Sequence, residues 1–139
     1  MMKDTRARSF IMIVVIIAIM SLILRVALEQ LIKINSAQNE SIAQATLKLI
    51  SAALENYAED NAGKFPTSIS VLTQTNPSYL DKDYIAQSPI KGYNYTCSKL
   101  EVSGYICSAS PLRCKITGRM VYTATTGGLF ISDSCEKKE

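Results

Sequence analysis

The sequence predicts an α+β fold: one long N-terminal helix whose second half lies on a small antiparallel sheet of three or four strands. Three observations predict it. Residues 10–24, FIMIVVIIAIMSLIL, carry no charge and a single serine. Residues 29–60 contain neither Gly nor Pro. After Pro66 the texture breaks into short runs rich in Tyr, Ile, Val, Phe and Thr, divided by turn residues, in the region that holds all four cysteines.

The opening residues form a basic leader, 1–9. Lys3, Arg6, Arg8 and Arg25 against Asp4 account for the whole net charge of +3, leaving 11 basic and 11 acidic side chains in the other 114 residues. No overall basic excess remains there to attract phosphate backbones, so no nucleic acid is expected as a partner. The chain also has no His, which removes the commonest general base and metal ligand.

Residues 10–28 are the apolar half of the helix. As a cleaved signal, MMKDTRAR is an acceptable basic region, but LILRVALEQ puts Arg25 and Glu29 where a peptidase site needs small neutral residues. As a membrane span, fifteen helical residues rise roughly 22 Å, and carrying the helix through Leu28 adds about 6 Å towards the ~30 Å hydrocarbon core. Arg25 then sits at the outer edge, where its guanidinium can snorkel to headgroups. A buried helix of a soluble protein would show a polar side, and none appears for four turns. The span is therefore favoured, with the lipid bilayer as partner. Basic residues before it favour a cytoplasmic N-terminus and an extracytoplasmic remainder.

Residues 29–61 continue the helix with a different pattern. The polar stretch LEQLIKINSAQNES is expected to be exposed. Beyond it Gln44, Lys48, Ser51, Glu55 and Glu59 trace a wet stripe at steps of four and three. Ala43, Leu47, Ile50, Leu54 and Tyr57 trace an apolar one, widened by Ile42, Ala45, Leu49 and Ala53. In NAGKFP, Gly63 is expected at the C′ position with Pro66 just beyond, ending the helix near Asn61.

Residues 62–92 read as loop with one short helix, TSISVLTQ, capped by Thr67 or Ser68. Residues 93–139 carry the sheet: GYNYTC, GYICSAS, GRMVYTAT and GLFISDS are the candidate strands, with TTGG a hairpin turn and LEVSG another. So small a sheet needs the helix to cover it. The cysteines are Cys97, Cys107, Cys114 and Cys135, with no C-x-x-C. Zinc binding would need an unusual all-Cys layout, and a catalytic thiol would lack a base. Outside the cytosol, disulfides are expected. Of three connectivities, hairpins turning near 102 and near 125 favour Cys97 with Cys107 and Cys114 with Cys135; free buried thiols are the alternative.

A basic leader, an apolar helix starting at Phe10, an amphipathic continuation and then ALENYAEDNAGKFPTS resemble the type IV pilin family, above all the pseudopilins of type II secretion. Tyr57, Asp60, Asn61, Phe65 and Pro66 occupy that family's helix-to-loop pattern, and GYICSASPLRCKITGRMVY with TGGLFIS is loosely similar to its strands. The resemblance covers nearly the whole chain. It implies a pilin-like fold, leader removal and N-methylation at the Ser9–Phe10 junction, and assembly through the apolar helix. The implied partners are other pilin or pseudopilin subunits, a prepilin peptidase and an inner-membrane assembly platform. Three positions depart from it, and the Pro and Gly that often kink the family's helix are absent; Arg25 adds a charge where the helix would enter a filament core. Ser9 replaces the usual leader Gly, and Val14 replaces the glutamate that meets a neighbour's new N-terminal amine. A Val needs no charge partner when buried. These departures imply a minor or tip subunit, or a relative that keeps its leader and does not polymerise.

Other functions find less in the residues. No Gly-x-Ser-x-Gly, persuasive Ser-x-x-Lys or paired acidic motif appears, so no enzyme and no cofactor is expected. Asp81 and Asp83 in LDKDY read as a solvated loop pair before calcium ligands. The sequons at Asn39 and Asn94 are short enough to arise by chance. The chief rival is a monomeric single-pass protein whose outer domain binds a peptide, a pilin or a polysaccharide.

Overall fold

The computed structural model describes residues 3–136. Helix α1 spans Lys3–Asp60. It therefore starts inside the leader and not at Phe10, because nothing in KDTRARS breaks a helix. It ends one residue before Asn61, and its terminus differs in detail from expectation. The Gly63 N–H donates to the Ala58 carbonyl at 2.7 Å, so Gly63 is the C″ residue and Ala62 occupies C′, with φ 57°. The helix thus places an alanine where glycine is preferred.

The chain divides into two compact units, the first reaching Ile34 and the second beginning at Asn35. In the first, every residue from Ala7 onward is exposed. Its one polar side chain inside the apolar run, Ser21, donates its hydroxyl to the Ala18 carbonyl at 2.8 Å. That bond lets a serine sit in an apolar medium without an orphaned donor.

The second unit is built on a four-stranded antiparallel sheet, β1 Tyr93–Glu101, β2 Gly104–Pro111, β3 Met120–Thr125 and β4 Leu129–Ser134, ordered β1-β2-β3-β4. Strand β1 turns into β2 where Glu101 faces Gly104, with a register shift between Cys97 and Lys99. Strand β3 turns into β4 where Thr125 faces Leu129. The intervening residues include Gly127 and Gly128, both with positive φ, as a tight hairpin requires. Before the sheet, α2 (Ile69–Gln74) is capped by Ser68, whose hydroxyl accepts from the Ser70 N–H.

The sheet alternates. Tyr93, Tyr95, Tyr105, Cys107, Ala109, Tyr122 and Ala124 point inward and are buried. They meet Ala43, Leu47, Ile50, Leu54 and Ala58 of α1, spaced at three and four residues, with Phe65, Ile69, Leu72 and Leu80 closing one side. The helix stripes need correction. Ser51 is buried at 7% exposure, while Ile42, Ala45 and Leu49 are exposed. A helix lying on a narrow sheet buries about half its circumference. Here that half runs from Ala53 through Leu54 to Ser51. The far apolar positions fall outside it.

Candidate functional site

Among the described residues the features that could act are surfaces and the contacts that hold them. The first surface is the apolar helix of the leading unit. Ser9, Phe10 and Val14 all lie on α1 and are exposed, Phe10 at 68% and Val14 at 49%. The helix is long and apolar enough to cross a membrane, and none of its apolar window is buried. An exposed apolar surface of this extent calls for an apolar environment. The chain carries a membrane-anchor type of helix, and its two disulfides suit an oxidising, extracytoplasmic compartment.

In the second unit α1 is fastened to the sheet at two levels. At the lower-numbered one, the Asn39 side-chain amide donates to the Thr117 carbonyl at 3.0 Å, and Glu40 Oε1 accepts from the Arg119 N–H at 2.6 Å. At the higher, Glu55 Oε1 accepts from the Gly127 and Gly128 N–H groups at 2.7 and 3.0 Å and from the Tyr105 hydroxyl at 2.9 Å. Ser51 Oγ lies 2.7 Å from the same hydroxyl. Burial pushes the Tyr105 phenol up to about 12, the Ser51 contact opposing and the Glu55 carboxylate adding to the rise. Between the two levels Lys48 Nζ stands 5.3 Å from the centre of the Phe130 ring.

Two of these contacts use the polar stretch expected to be exposed: Asn39 is half-buried, and Ser36 is buried. The wet stripe likewise conceals a fastening, since Glu55 is half-buried at its hydrogen bonds. Sequence reasoning missed these roles because a polar side chain on a helix looks the same whether it meets water or a backbone N–H across a sheet.

Cys97 is bonded to Cys107, directly across the β1–β2 ladder. Cys114 is bonded to Cys135, but by a different route from a β3–β4 hairpin. Cys114 lies on the β2–β3 connection, which folds back so that Cys114 bridges Gly118. Cys135 follows β4 and donates its N–H to the Arg119 carbonyl at 2.9 Å. The bond closes that connection onto the end of the sheet.

No family profile matches this sequence, and no characterised protein or solved structure matches the chain.

The remaining candidate positions are absorbed locally. Asp83 Oδ1 accepts from the Ile85 and Ala86 N–H groups at 3.0 and 2.9 Å, and Asp81 accepts from the Tyr84 hydroxyl. Both are turn-stabilising arrangements. Among the described residues no three His, Cys, Asp or Glu side chains cluster as metal ligands. Asn39 is engaged as above, and Asn94 accepts from the Ser88 hydroxyl at 2.6 Å. Tyr57, Asn61, Phe65 and Pro66 gather at the helix-to-loop corner, where the Asn61 amide donates to the Tyr57 carbonyl and the Phe65 ring packs edge-on against Tyr105.

Proposed function

We propose that this chain is a structural subunit of the type IV pilin or type II pseudopilin kind, a minor or tip member, anchored in a bacterial inner membrane until it is assembled. The observation that carries this reading is the two-part use of one helix. Up to Ile34 every described side chain is exposed and most are apolar, whereas from Ala43 onward the helix supplies the core of a cystine-bonded sheet. The first part is equally at home among lipid tails or the apolar side chains of sister helices, so exchange between them costs little. Val14 fits a subunit that joins without a charge pair at that position. The N-terminus is cytoplasmic in this reading and the sheet periplasmic. The prepilin peptidase and assembly platform are its processing partners.

A second reading rests on Ser9 and Arg25: a single-pass protein that keeps its leader and presents the sheet as a monomeric binding domain. One experiment separates them. Intact mass of the membrane-extracted chain, unreduced and reduced, reports leader removal, N-methylation and the two disulfides together. A mature chain beginning at Phe10, with cysteine crosslinks between copies along residues 10–28, is the expected result. A full-length mass and no such crosslinks would replace the subunit by the monomer.

A further inference from the structure

The second unit is electrically neutral in sum but not in distribution. Residues 112–119, LRCKITGR, join β2 to β3 and contain three cations and no carboxylate. A single helical turn organises them: the Ile116 and Thr117 N–H groups both donate to the Arg113 carbonyl. Leu112 and Ile116, four residues apart around that turn, are 55% and 51% exposed. Arg113, Lys115 and Arg119 are exposed beside them. Next to this loop the Lys91–Gly92 turn packs on Thr117 and Asn39, adding a fourth cation. Among the described residues three carboxylates lie near the group, Asp133 lining a shallow pocket with Leu112 and Cys114. Glu136 pairs with Lys115, and Glu40 is occupied by the Arg119 backbone. Among the described residues four cations thus stand against three carboxylates, two of them already engaged, around a pair of uncovered aliphatic side chains.

We propose that the cystine-closed loop of residues 112–119 docks on the surface of a bilayer bearing anionic headgroups. The composition is that of an interfacial element, with aliphatic side chains to enter the headgroup boundary and cations to meet phosphate. The bilayer is the occupant because of the tether. The loop is fastened to α1 at Asn39 and Glu40, and only eleven residues, Glu29 to Asn39, separate that fastening from the apolar run. Even fully extended, eleven residues reach no more than about 40 Å. The loop is thus held at high effective concentration beside the membrane that holds its helix, and weak individual contacts suffice. This rests on the anchored reading above. It adds a second, reversible membrane contact, one that an assembling subunit must release.

The test uses the full chain in vesicles and exploits its lack of Trp. An Ile116→Trp probe reports the loop, and an Ile17→Trp probe reports the anchor. Both are read by brominated-lipid quenching in phosphatidylcholine vesicles with and without phosphatidylglycerol. The Ile17 probe is expected to be quenched in both membranes, and the Ile116 probe strongly only with phosphatidylglycerol. Raising the salt should release the Ile116 probe. Adding Arg113→Glu and Lys115→Glu should lower its docked-to-free ratio by roughly 25-fold or more, at about fivefold per lost surface cation. Should those substitutions disturb folding, the salt titration of the otherwise native loop carries the test.

An Ile116 probe quenched equally in both membranes, or in neither, overturns the proposal while leaving the anchor intact. So does protection of that probe that follows protein density instead of lipid charge, which would mean a neighbouring subunit. An unquenched Ile17 probe overturns the anchor and the docking together.

Discussion

Ala62 and Glu55 show how single positions depart from their surface appearance. Ala62 sits at the helix C′ with φ 57°, next to a glycine that the sequence offers for the same job. A methyl group in the left-handed region is strained. Ala62→Gly is therefore expected to raise stability by roughly 0.5 kcal/mol, relief of strain outweighing the added chain entropy, and chemical denaturation in detergent reads it directly. Glu55 has the opposite character. One carboxylate oxygen accepts from two turn amides and a tyrosine hydroxyl. Glu55→Ala is expected to cost about 2 kcal/mol, and to speed hydrogen exchange at Gly127 and Gly128 before other amides. The Glu55 position was legible as polar and helical. Its partners were not, since pairing across 72 residues depends on where the hairpin falls and leaves no local signature.

Among the elements, helix and sheet were legible to different depths. The helix from Phe10 to about residue 61, the short α2 and the strands follow from breakers, caps and β-branched runs, signals that are local, whereas its extension back to Lys3 was not read. Which helical positions the sheet covers is not local: the stripe read as one broad apolar face is buried on one side only, leaving Ile42, Ala45 and Leu49 uncovered. The β2–β3 connection was the least legible element. Its fold-back is set by Gly118, which has no room for a side chain. A Cβ there would come within 2.6 Å of the Cε2 and Cζ atoms of Tyr93 and closer still to its hydroxyl, which donates to the Met120 carbonyl. Gly118→Ala should displace that ring and cost about 1–3 kcal/mol, seen as a lowered melting temperature and altered near-ultraviolet tyrosine signal. An unchanged melting temperature would mean that the connection yields and the ring stays.

At the scale of the molecule, tyrosine burial makes stability depend on alkaline pH. Tyr93, Tyr95, Tyr105 and Tyr122 all hold their protons more tightly than free phenols, burial being the first cause in each. Folded chains then bind more protons than unfolded ones above the ordinary tyrosine range, near pH 10. Stability from this source is complete below that pH. It declines as pH rises towards the folded value, about 12 for Tyr105. Denaturant midpoints measured at rising pH should fall, and tyrosinate absorbance should appear together with unfolding instead of before it. The fastening of α1 to the sheet also has a mechanical side. Rungs at Asn39 and Glu40 and at Ser51 and Glu55 are spread along the same stretch of helix axis that the core occupies. A force drawing that stretch lengthwise past the strands loads both sets of rungs and the aromatic layer between them in shear, so they must give way together. Peeling the helix sideways would release them one after another. A tensile load along that stretch of helix is therefore borne by the whole joint.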